Sequence, residues 1–437
     1  MIAAQQSYTD FSAALHGKAR GNRLPVNGTI EVTHRCPLEC AHCYNNLPVG
    51  DADARRRELS TLELCRIIDE IADAGGLWLL FTGGEIFARK DFLEIYTHAK
   101  QRGLLITLFT NGTQITAAIA DYLVEWRPFS IEITLYGRTA ETYERLTGIP
   151  GSFDRCMRGI RLLKERGLPL KLKTVAVTIN RHEISDMQRF AEEELGVEFK
   201  FDGMINARID CSHSPLEVRL TPAQMVQLDM EDPSRYEEWG KLVKSRAAGP
   251  APANDEVYHC GGGISAFAID PEGKLSICVL SQKDKFDLRE GTFKEGWDQF
   301  LAKVRQKKIT RHTKCNDCRI RELCSACAAT SELEHGDAEA PVEFFCEVAH
   351  LRAHAVGFPP PAHGDCAFCE GGSGHKHLLD ELAALERGER GAASARAKRA
   401  SPGRSLKVLG AATTASGSSC GSGGCGSCGA ETTREQP

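Results

Sequence analysis

The sequence predicts an α/β protein built on a partial (β/α)6 TIM-like barrel, followed by a small cysteine-rich domain and a flexible tail. Between residue 28 and about residue 202, short runs rich in Ile, Val, Leu, Phe and Thr alternate with stretches of helical periodicity. This alternation predicts parallel strands joined by helices. Six units are too few to close an eight-stranded barrel, so we expect an open one.

The strand candidates are continuously apolar, which fits strands buried on both faces. Among the intervening stretches, residues 61–74 place four aliphatic side chains on one helical face, after a Ser-Thr pair that can cap the helix. The six candidates lie at 28–33, 77–82, 104–110, 130–135, 170–178 and 197–201.

Length and composition predict a globular protein of several parts. The 437 residues suffice for two or three domains, and we expect an N-terminal segment at 1–25, the barrel at 26–230, the cysteine-rich domain at 255–350 and the tail at 360–437. A net charge of −5 indicates neither a nucleic-acid nor a membrane partner. Residues 1–25 lack a signal-peptide pattern and no apolar run is long enough to span a membrane, so we expect a cytoplasmic protein.

The 18 cysteines raise the alternative of a secreted disulfide framework. That alternative fits poorly, because the chain shows no signal peptide and many of the cysteines occur in C-x2-C groups. In a reducing compartment such groups bind metal more often than they form disulfides.

Cys36, Cys40 and Cys43 form a C-x3-C-x2-C run in the loop that follows the first strand. Three thiolates on one loop can bind three irons of a cubane cluster, which leaves the fourth iron open to a substrate or cofactor. A structural zinc site or three unrelated thiols are the alternatives. Structural zinc needs four ligands, and only His42 lies nearby.

Polar residues follow the later strands at the same predicted edge of the sheet. The second strand ends in Gly83-Gly84-Glu85, and Glu132 is an inward-facing candidate on the fourth. Glycines allow a backbone to approach a ligand closely. Because chemistry in parallel barrels occurs at the carboxyl ends of the strands, we expect one site there, beside the cysteine loop.

The cysteine run and the Gly-Gly-Glu strand end together resemble the radical S-adenosylmethionine superfamily over roughly residues 25–202. In that family three cysteines hold a [4Fe–4S] cluster, and the amino and carboxylate groups of S-adenosylmethionine chelate the fourth iron. One electron from the cluster then yields a 5′-deoxyadenosyl radical that abstracts hydrogen from the substrate. The resemblance implies a flavodoxin- or ferredoxin-type electron donor.

The resemblance also implies roles for residues at matching positions. Cys36, Cys40 and Cys43 would be the cluster ligands. For Arg145 and Asn180 the sequence leaves open a purely structural role, which for Arg145 is that of a solvated helical charge. The implied contacts to S-adenosylmethionine are Gly83, Gly84 and Glu85 with the methionine ammonium, His42 near the adenine, Thr134 with the ribose or carboxylate, Arg145 with the carboxylate, and Asn180 with the ribose.

Seven later cysteines resemble the SPASM extension, an auxiliary-cluster domain of radical S-adenosylmethionine enzymes that modify peptides. A zinc ribbon is the alternative, but the five-residue gap between Cys318 and Cys324 is short for two knuckles. The spacing of two residues between Cys324 and Cys327 departs from the family's three. The resemblance implies a first auxiliary cluster on Cys260, Cys278 and Cys327 and a second on Cys315, Cys318, Cys324 and Cys346.

The two resemblances together imply an enzyme that modifies a ribosomally made peptide by hydrogen abstraction followed by crosslinking or oxidation. With no long N-terminal extension, delivery of the peptide by a separate recognition protein is one expectation. Maturation of a tetrapyrrole or other small-molecule cofactor is the alternative. A non-catalytic electron carrier or sensor is a third, although a carrier needs no Gly-Gly-Glu pocket. Val279 stands where sulfatase-maturing relatives have an acidic residue, which argues against that activity.

Two cysteine groups in the tail have no assigned role. Cys366 and Cys369 precede His375 and His377, so this segment is either a small zinc or iron site or a pair of free thiols. The other group comprises Cys420, Cys425 and Cys428, which could cap a metal site, relay redox equivalents or mimic a cysteine-rich substrate.

Overall fold

The strands predicted from the sequence form neighbouring members of one sheet. The protein is described here by a computed structural model that covers residues 8–246 and 255–387. Its strands are β1 (Asn27–Thr33), β2 (Arg35–Cys36), β3 (Leu47–Pro48), β4 (Trp78–Gly83), β5 (Leu105–Thr110), β6 (Ser130–Thr134), β7 (Leu170–Val175), β8 (Phe199–Asp202), β9 (Ala266–Ile269), β10 (Lys274–Ser276) and β11 (Phe286–Asp287).

The main sheet has the order β11-β10-β9-β1-β4-β5-β6-β7-β8. Strands β1, β4, β5, β6, β7 and β8 pair in parallel, each with the next, which confirms the open, partial (β/α)6 barrel. Strand β9 also runs parallel to β1, with Ala266 opposite Asn27, and β10 and β11 follow it antiparallel. The cysteine-rich region therefore begins by extending the barrel sheet.

The helices connect the strands and continue into the C-terminal region. They are α1 (Tyr8–Asn22), α2 (Ala52–Arg57), α3 (Thr61–Asp73), α4 (Phe92–Gln101), α5 (Ala117–Glu125), α6 (Ala140–Thr147), α7 (Ser152–Glu165), α8 (Ile184–Arg189), α9 (Pro222–Glu231), α10 (Pro233–Arg246), α11 (Phe293–Glu295), α12 (Ala302–Arg305), α13 (Lys314–Asp317), α14 (Ala328–His335), α15 (Glu343–Ala355) and α16 (His375–Glu386). Single π-helical segments, Phe190–Glu194 and Gly296–Leu301, follow α8 and α11.

Helix α3 shows how local sequence determines where a barrel helix begins and which of its faces is buried. Ser60 and Glu63 form a reciprocal capping box, which satisfies two of the N–H groups left free at a helix start. The four predicted aliphatic side chains, including Ile67 and Ile68, are fully buried in the main hydrophobic core. Each such burial contributes roughly 1.5–3 kcal/mol, so the apolar stripe holds the helix on the sheet.

Alternation along the strands separates an outer face from an inner one. On β6, Ile131 and Ile133 belong to the core, whereas Glu132 projects to the opposite face. On β7 the residue opposite Glu132 is Lys171, and Lys173 lies opposite Thr134, so these side chains share the inner face. Polar groups therefore line the inside of the open barrel.

Buried ion pairs attach the C-terminal region to the barrel. Arg219, after β8, lies 2.5 Å from Glu334 of α14, and both side chains are buried. Arg352 of α15 lies 2.8 Å from Asp229 of α9, and both are again buried. A buried pair is costly to break from one side, because the remaining charge is left without a partner.

The first part of the predicted tail is folded. Helix α16 packs against α15 and α9, and Cys366 and Cys369 before it are buried. Helix α16 itself spans His375–Glu386. Cys420, Cys425 and Cys428 lie outside the described residues. No helix within 8–246 and 255–387 is long and apolar enough to cross a membrane.

Candidate functional site

The three-cysteine loop lies at the carboxyl end of β1 and is held at both ends and in the middle. Its ends pair in parallel through β2 and β3. Its middle is held by helix α6, because the N–H groups of Glu39 and Ala41 donate to the carbonyl oxygens of Thr147 (2.9 Å) and Leu146 (3.0 Å). These carbonyls belong to the last turn of the helix, where the helix itself supplies no partner.

Gly83 and Gly84 pack against the backbone of residues 33–35, which leads into this loop. Gly83 has φ +127°, and a Cβ there would lie 2.1 Å from the carbonyl oxygen of Thr33. A Cβ on Gly84 would lie 2.5 Å from the carbonyl oxygens of both His34 and Arg35. The Gly84 N–H also donates to the Thr33 carbonyl at 2.7 Å. The two glycines therefore let β4 fix the backbone just ahead of Cys36.

Glu85 is buried and fully engaged with the neighbouring strand end. Its Oε1 accepts from the Thr110 hydroxyl at 2.7 Å, and its Oε2 accepts from the Asn111 N–H at 2.8 Å. Burial raises the pKa of this carboxyl, while those hydrogen bonds oppose the shift. Glu85 thus joins the ends of β4 and β5. Its predicted contact with the methionine ammonium stays a prediction.

The three thiols lie close enough to influence one another. Burial raises the pKa of Cys36 to about 12 and raises those of Cys40 and Cys43. The charges of Cys43 and Cys36 raise the pKa of Cys40 further. The Leu38 N–H (3.4 Å) and the Asn111 Nδ2 (3.5 Å) both donate to the Cys36 sulfur.

This donor set fits an iron–sulfur cluster. Iron–sulfur clusters take deprotonated cysteines, and a metal replaces the thiol protons that burial otherwise retains. Three neighbouring sulfurs supply three ligands, and N–H groups directed at a sulfur stabilise its negative charge. A cubane cluster has four irons, so three cysteine ligands leave the fourth iron open to a further ligand.

A buried carboxylate and an arginine anchor the end of the loop, and the sequence reasoning assigned neither of them a role. Glu31 on β1 accepts from the Tyr44 hydroxyl (2.8 Å) and from Asn45 Nδ2 (2.6 Å). Arg208, beyond β8, donates to the carbonyl oxygens of Cys43 (3.1 Å) and Asn46 (3.0 Å). An acidic residue inside the apolar run of β1 was the available signal for Glu31; Arg208 gave none.

The ring of His42, in the cysteine loop, packs against the ring of Tyr136, which follows β6. Their ring centroids are 5.2 Å apart. Burial lowers the pKa of His42 to about 4, so the ring is neutral at pH 7. Its Nδ1 is inaccessible and has no hydrogen-bond partner among the described residues. A buried polar atom without a partner marks a place where a ligand can supply one, and an adenine near His42 stays a prediction.

The other three residues predicted to contact S-adenosylmethionine, Thr134, Arg145 and Asn180, differ in how deeply the structure buries them. Thr134 is half-buried at the end of β6, whereas Arg145 is exposed on α6. Asn180 is fully buried: its Nδ2 donates to the carbonyl oxygens of Val175 (3.0 Å) and Tyr136 (3.1 Å), and its Oδ1 accepts from the Val177 N–H (2.8 Å). Asn180 therefore braces the ends of β6 and β7, and only its Oδ1 retains capacity for a ribose hydroxyl.

A charged group lines the barrel interior. Glu132 of β6 lies 3.3 Å from Lys173 of β7 and 2.9 Å from Lys200 of β8. The Lys173 ammonium also lies over the ring of Phe109. Burial lowers the pKa of Lys173 to about 7, and Glu132 opposes that shift. The amine of Lys173 is therefore poised to gain or lose a proton near neutral pH.

The cysteines of the predicted first auxiliary cluster come from the β9–β10 hairpin and from α14. Cys260 precedes the hairpin, Cys278 follows it, and Cys327 immediately precedes α14. Burial raises the pKa of Cys278 to about 11, and the charges of Cys327 and Cys260 raise it further. The three thiols are thus electrostatic neighbours, although their ligand role stays a prediction.

The four cysteines of the predicted second auxiliary cluster also influence one another. Burial raises the pKa of Cys318 to about 12, with the charges of Cys324 and Cys315 adding to the effect. Cys346, on α15, has its pKa raised by burial and by the charges of Cys324 and Cys315. Cys315, Cys318, Cys324 and Cys346 therefore lie around one place in the fold.

The structure gives Cys366 and Cys369 different histidine partners from those predicted. His375 Nδ1 faces the carbonyl oxygen of Phe368 at 3.0 Å, and His377 pairs with a glutamate of α15. The histidines that meet the two cysteines are His350 and His363. The sequence prediction named neither His363, which lies three residues before Cys366, nor His350, which α15 brings to the loop from 16 residues upstream of Cys366.

Comparison with known proteins identifies similar sequences. Residues 30–192 match the model of the radical SAM superfamily. The chain is 34% identical over 366 residues to the PqqA peptide cyclase of Granulibacter bethesdensis, covering 78% of this chain and 92% of that protein. It is 26% identical over 329 residues to the AdoMet-dependent heme synthase of Methanosarcina barkeri, covering 70% of this chain and 92% of that protein.

Solved structures share the fold at low sequence identity. Streptococcus suis SuiB bound to its precursor peptide SuiA matches with a TM-score of 0.59 and 15% identity, over 77% of this chain and 80% of SuiB. The anSMEcpe protein with bound AdoMet matches with a TM-score of 0.55 and 16% identity, over 83% of this chain and 98% of that chain. These likenesses show a shared architecture.

Proposed function

The chain belongs to the radical S-adenosylmethionine superfamily with a SPASM-type C-terminal region, and from this premise we propose that it modifies a ribosomally made peptide. Its cofactors are a [4Fe–4S] cluster, S-adenosylmethionine and auxiliary iron–sulfur clusters. The observation that carries the peptide assignment is the 34% identity to a peptide cyclase across 92% of that protein's length.

Under this proposal Cys36, Cys40 and Cys43 hold the catalytic cluster. When bound, the cluster and S-adenosylmethionine supply a 5′-deoxyadenosyl radical at the carboxyl ends of the strands. The chain's own contribution is to position the ligands: Gly83 and Gly84 hold the loop entry, and Arg208 holds its exit. The N–H groups directed at Cys36 stabilise its negative charge.

The inner face of the barrel provides the surface where we propose that the substrate lies. Lys173 and Lys200 carry donors that suit a carboxylate, and Glu132 holds both in place. A peptide with an acidic side chain meets this requirement. The near-neutral pKa of Lys173 also allows its amine to accept a proton from a bound peptide.

Tetrapyrrole maturation is the second candidate, because heme synthases are relatives of this chain. A tetrapyrrole with carboxylate side chains would use the same two lysines. Sequence identity favours the peptide. The chain is 34% identical to the peptide cyclase and 26% identical to the heme synthase, and each comparison covers 92% of the relative's length. The two candidates differ in substrate and product rather than in the radical-generating step.

The test offers both substrate classes to one preparation. Anaerobically reconstituted protein, reductant and S-adenosylmethionine are incubated with the short peptide encoded nearest its gene, and separately with Fe-coproporphyrin III. We expect mass spectrometry to find the peptide lighter by two hydrogen atoms and the tetrapyrrole unchanged. Conversion of the tetrapyrrole with an unchanged peptide would reject the peptide assignment in favour of the second candidate.

A further inference from the structure

Four side chains that take no part in the proposed radical site converge between α15 and α16. The ligand-type atoms of His350, His363, Cys366 and Cys369 all lie within 4.8 Å of one another, and all four residues are buried. We propose that these residues form a structural zinc site that fastens the segment carrying α16 onto α15.

The distances match one tetrahedral ion. His350 Nε2 lies 3.4 Å from the Cys369 sulfur and 3.7 Å from the Cys366 sulfur, and His363 Nδ1 lies 3.3 Å from the Cys369 sulfur. Zinc bonds of ~2.3 Å to sulfur and ~2.05 Å to nitrogen, at tetrahedral angles, place sulfur and nitrogen ligands about 3.6 Å apart. The three observed separations scatter around that value.

The hydrogen bonding of His350 directs its free nitrogen toward the cysteines. Its Nδ1 lies 2.7 Å from the carbonyl oxygen of Cys346, one helical turn earlier, so Nδ1 carries the proton and donates. Nε2 is then the atom with the lone pair, and it is the atom that faces both sulfurs. A metal-bound histidine characteristically donates its other ring N–H to a carbonyl or carboxylate in this way.

The chain from the two cysteines to α16 forms a tight, hydrogen-bonded turn. Gly372 N–H donates to the Cys369 carbonyl at 2.8 Å, and Gly374 N–H donates to the Ala367 carbonyl at 2.8 Å. A Cβ on Gly372 would lie 2.3 Å from the Ala367 carbonyl oxygen, so this tight turn requires glycine. Such a turn around a C-x2-C pair is typical of zinc sites.

Charge and chemistry favour zinc over an iron–sulfur cluster at this place. Two thiolates and two neutral imidazoles bring the charge of a buried Zn²⁺ to zero, and binding releases the two thiol protons. A two-iron cluster with two histidines puts the cysteines and the histidines on different irons. That arrangement separates sulfur from nitrogen more than ligands of a single ion, whereas here they approach as closely as 3.3 Å.

The site also lies beside the predicted second auxiliary cluster. His350 and Cys346 occupy successive turns of α15, and Cys366 is near enough for its charge to affect Cys318. That cluster already has four predicted cysteine ligands, so it needs none of the four residues proposed here. Zinc would therefore hold in place the helix that presents Cys346.

The experiment measures metals in the full-length protein purified anaerobically. Zinc and iron per chain are determined by mass spectrometry for the wild type, for the Cys366→Ser/Cys369→Ser double variant, and for His377→Ala. His377 is the matched control, because it is an exposed histidine on α16 outside the four-residue group. We expect the double variant to lose one zinc per chain while its iron stays unchanged, and the control to retain both metals.

X-ray absorption at the zinc edge of the wild type tests the site without relying on a variant that folds. We expect two sulfur and two nitrogen neighbours around the zinc. Zinc bound by Cys420, Cys425 and Cys428 of the tail would instead show sulfur neighbours without this pair of nitrogens. A wild type without zinc, a zinc shell of sulfur only, or a double variant that loses iron instead of zinc would each overturn the proposal.

Discussion

The backbone of Gly84 lies directly against the carbonyl oxygen of Arg35, one residue before the first cysteine of the loop. A Cβ on Gly84 would lie 2.5 Å from that oxygen. Because the oxygen belongs to the backbone, a side-chain rotation cannot relieve this clash. The following residue, Glu85, donates its N–H to the same oxygen at 3.1 Å. The Gly-Gly-Glu strand end therefore shapes the cysteine loop.

Gly84→Ala should disturb the cluster site. The added methyl group forces β4 away from the loop, at a cost of about 1–3 kcal/mol for overpacking. We expect reconstituted protein to hold fewer irons per chain and to release much less 5′-deoxyadenosine. Gly50→Ala is the control, because no atom lies within 4 Å of a Cβ there. Equal iron content in both variants would show that the contact is unimportant.

Asn111→Ala should lower the reduction potential of the catalytic cluster. Asn111 Nδ2 donates to the Cys36 sulfur, and such a bond stabilises the more negative, reduced cluster. Loss of about 1 kcal/mol of this stabilisation corresponds to about 40 mV for one electron. A redox titration followed by electron paramagnetic resonance measures the shift.

Thr113→Val serves as the comparison for that measurement, because it removes a hydroxyl that donates to the Asn111 Oδ1 and leaves Nδ2 in place. Its potential should stay near that of the wild type. A potential for Asn111→Ala that equals the wild-type value would mean that Nδ2 does not act on the cluster.

Lys173 should make stability depend on pH above neutrality. Its pKa is about 7 in the folded protein, because burial disfavours the ammonium, against about 10.4 in an unfolded chain. Between these values the unfolded state binds more protons, so stability rises with pH across this window, by up to a few kcal/mol. Below pH 7 Lys173 is charged in both the folded and the unfolded protein, so the free-energy cost of burying its ammonium is present in full.

Urea unfolding of the holoprotein at pH 7 and pH 9 measures this effect as a difference between variants. Lys173→Met should lose the rise that the wild type shows. Lys171→Met should keep it, because Lys171 lies on the same strand but pairs with Glu198 near the surface. The same pH dependence in wild type and Lys173→Met would contradict the lowered pKa.

Arg219→Met should destabilise the junction between the barrel and α14. The change leaves Glu334 buried without its partner, which costs about 3–5 kcal/mol. The double change Arg219→Met/Glu334→Leu removes both charges and should recover most of the loss. Chemical denaturation measures both variants, and a single variant as stable as the wild type would show that the pair contributes nothing.

Sequence patterns predicted the barrel because its signals are local. The apolar runs and the helical stripe of α3 depend on neighbouring residues, and the structure confirms them. The pairing of β9 with β1 depends instead on contact between residues 239 positions apart, Asn27 and Ala266. No local pattern indicates that contact, so the sequence could not predict that the cysteine-rich region extends the barrel sheet.

The site was predictable where residue type alone determines the chemistry. The spacing of Cys36, Cys40 and Cys43 predicts a metal centre from residue type alone, whereas the roles of Arg208 and His350 depend on which elements pack together. For Asn180 the ribose contact stays a prediction, and the structure adds that its amide joins the ends of β6 and β7, which depends on how the two strands pack. Position at the edge of the sheet did not reveal where the side chain points.

The most direct test of the central claim is release of 5′-deoxyadenosine from S-adenosylmethionine. Anaerobically reconstituted wild-type protein under strong reductant is compared with the Cys36→Ala/Cys40→Ala/Cys43→Ala variant. Chromatography should find 5′-deoxyadenosine from the wild type, and the triple variant should release none. Equal release from both proteins, or no release from a wild type that carries its full iron content, would contradict the assignment of these three cysteines to the catalytic cluster.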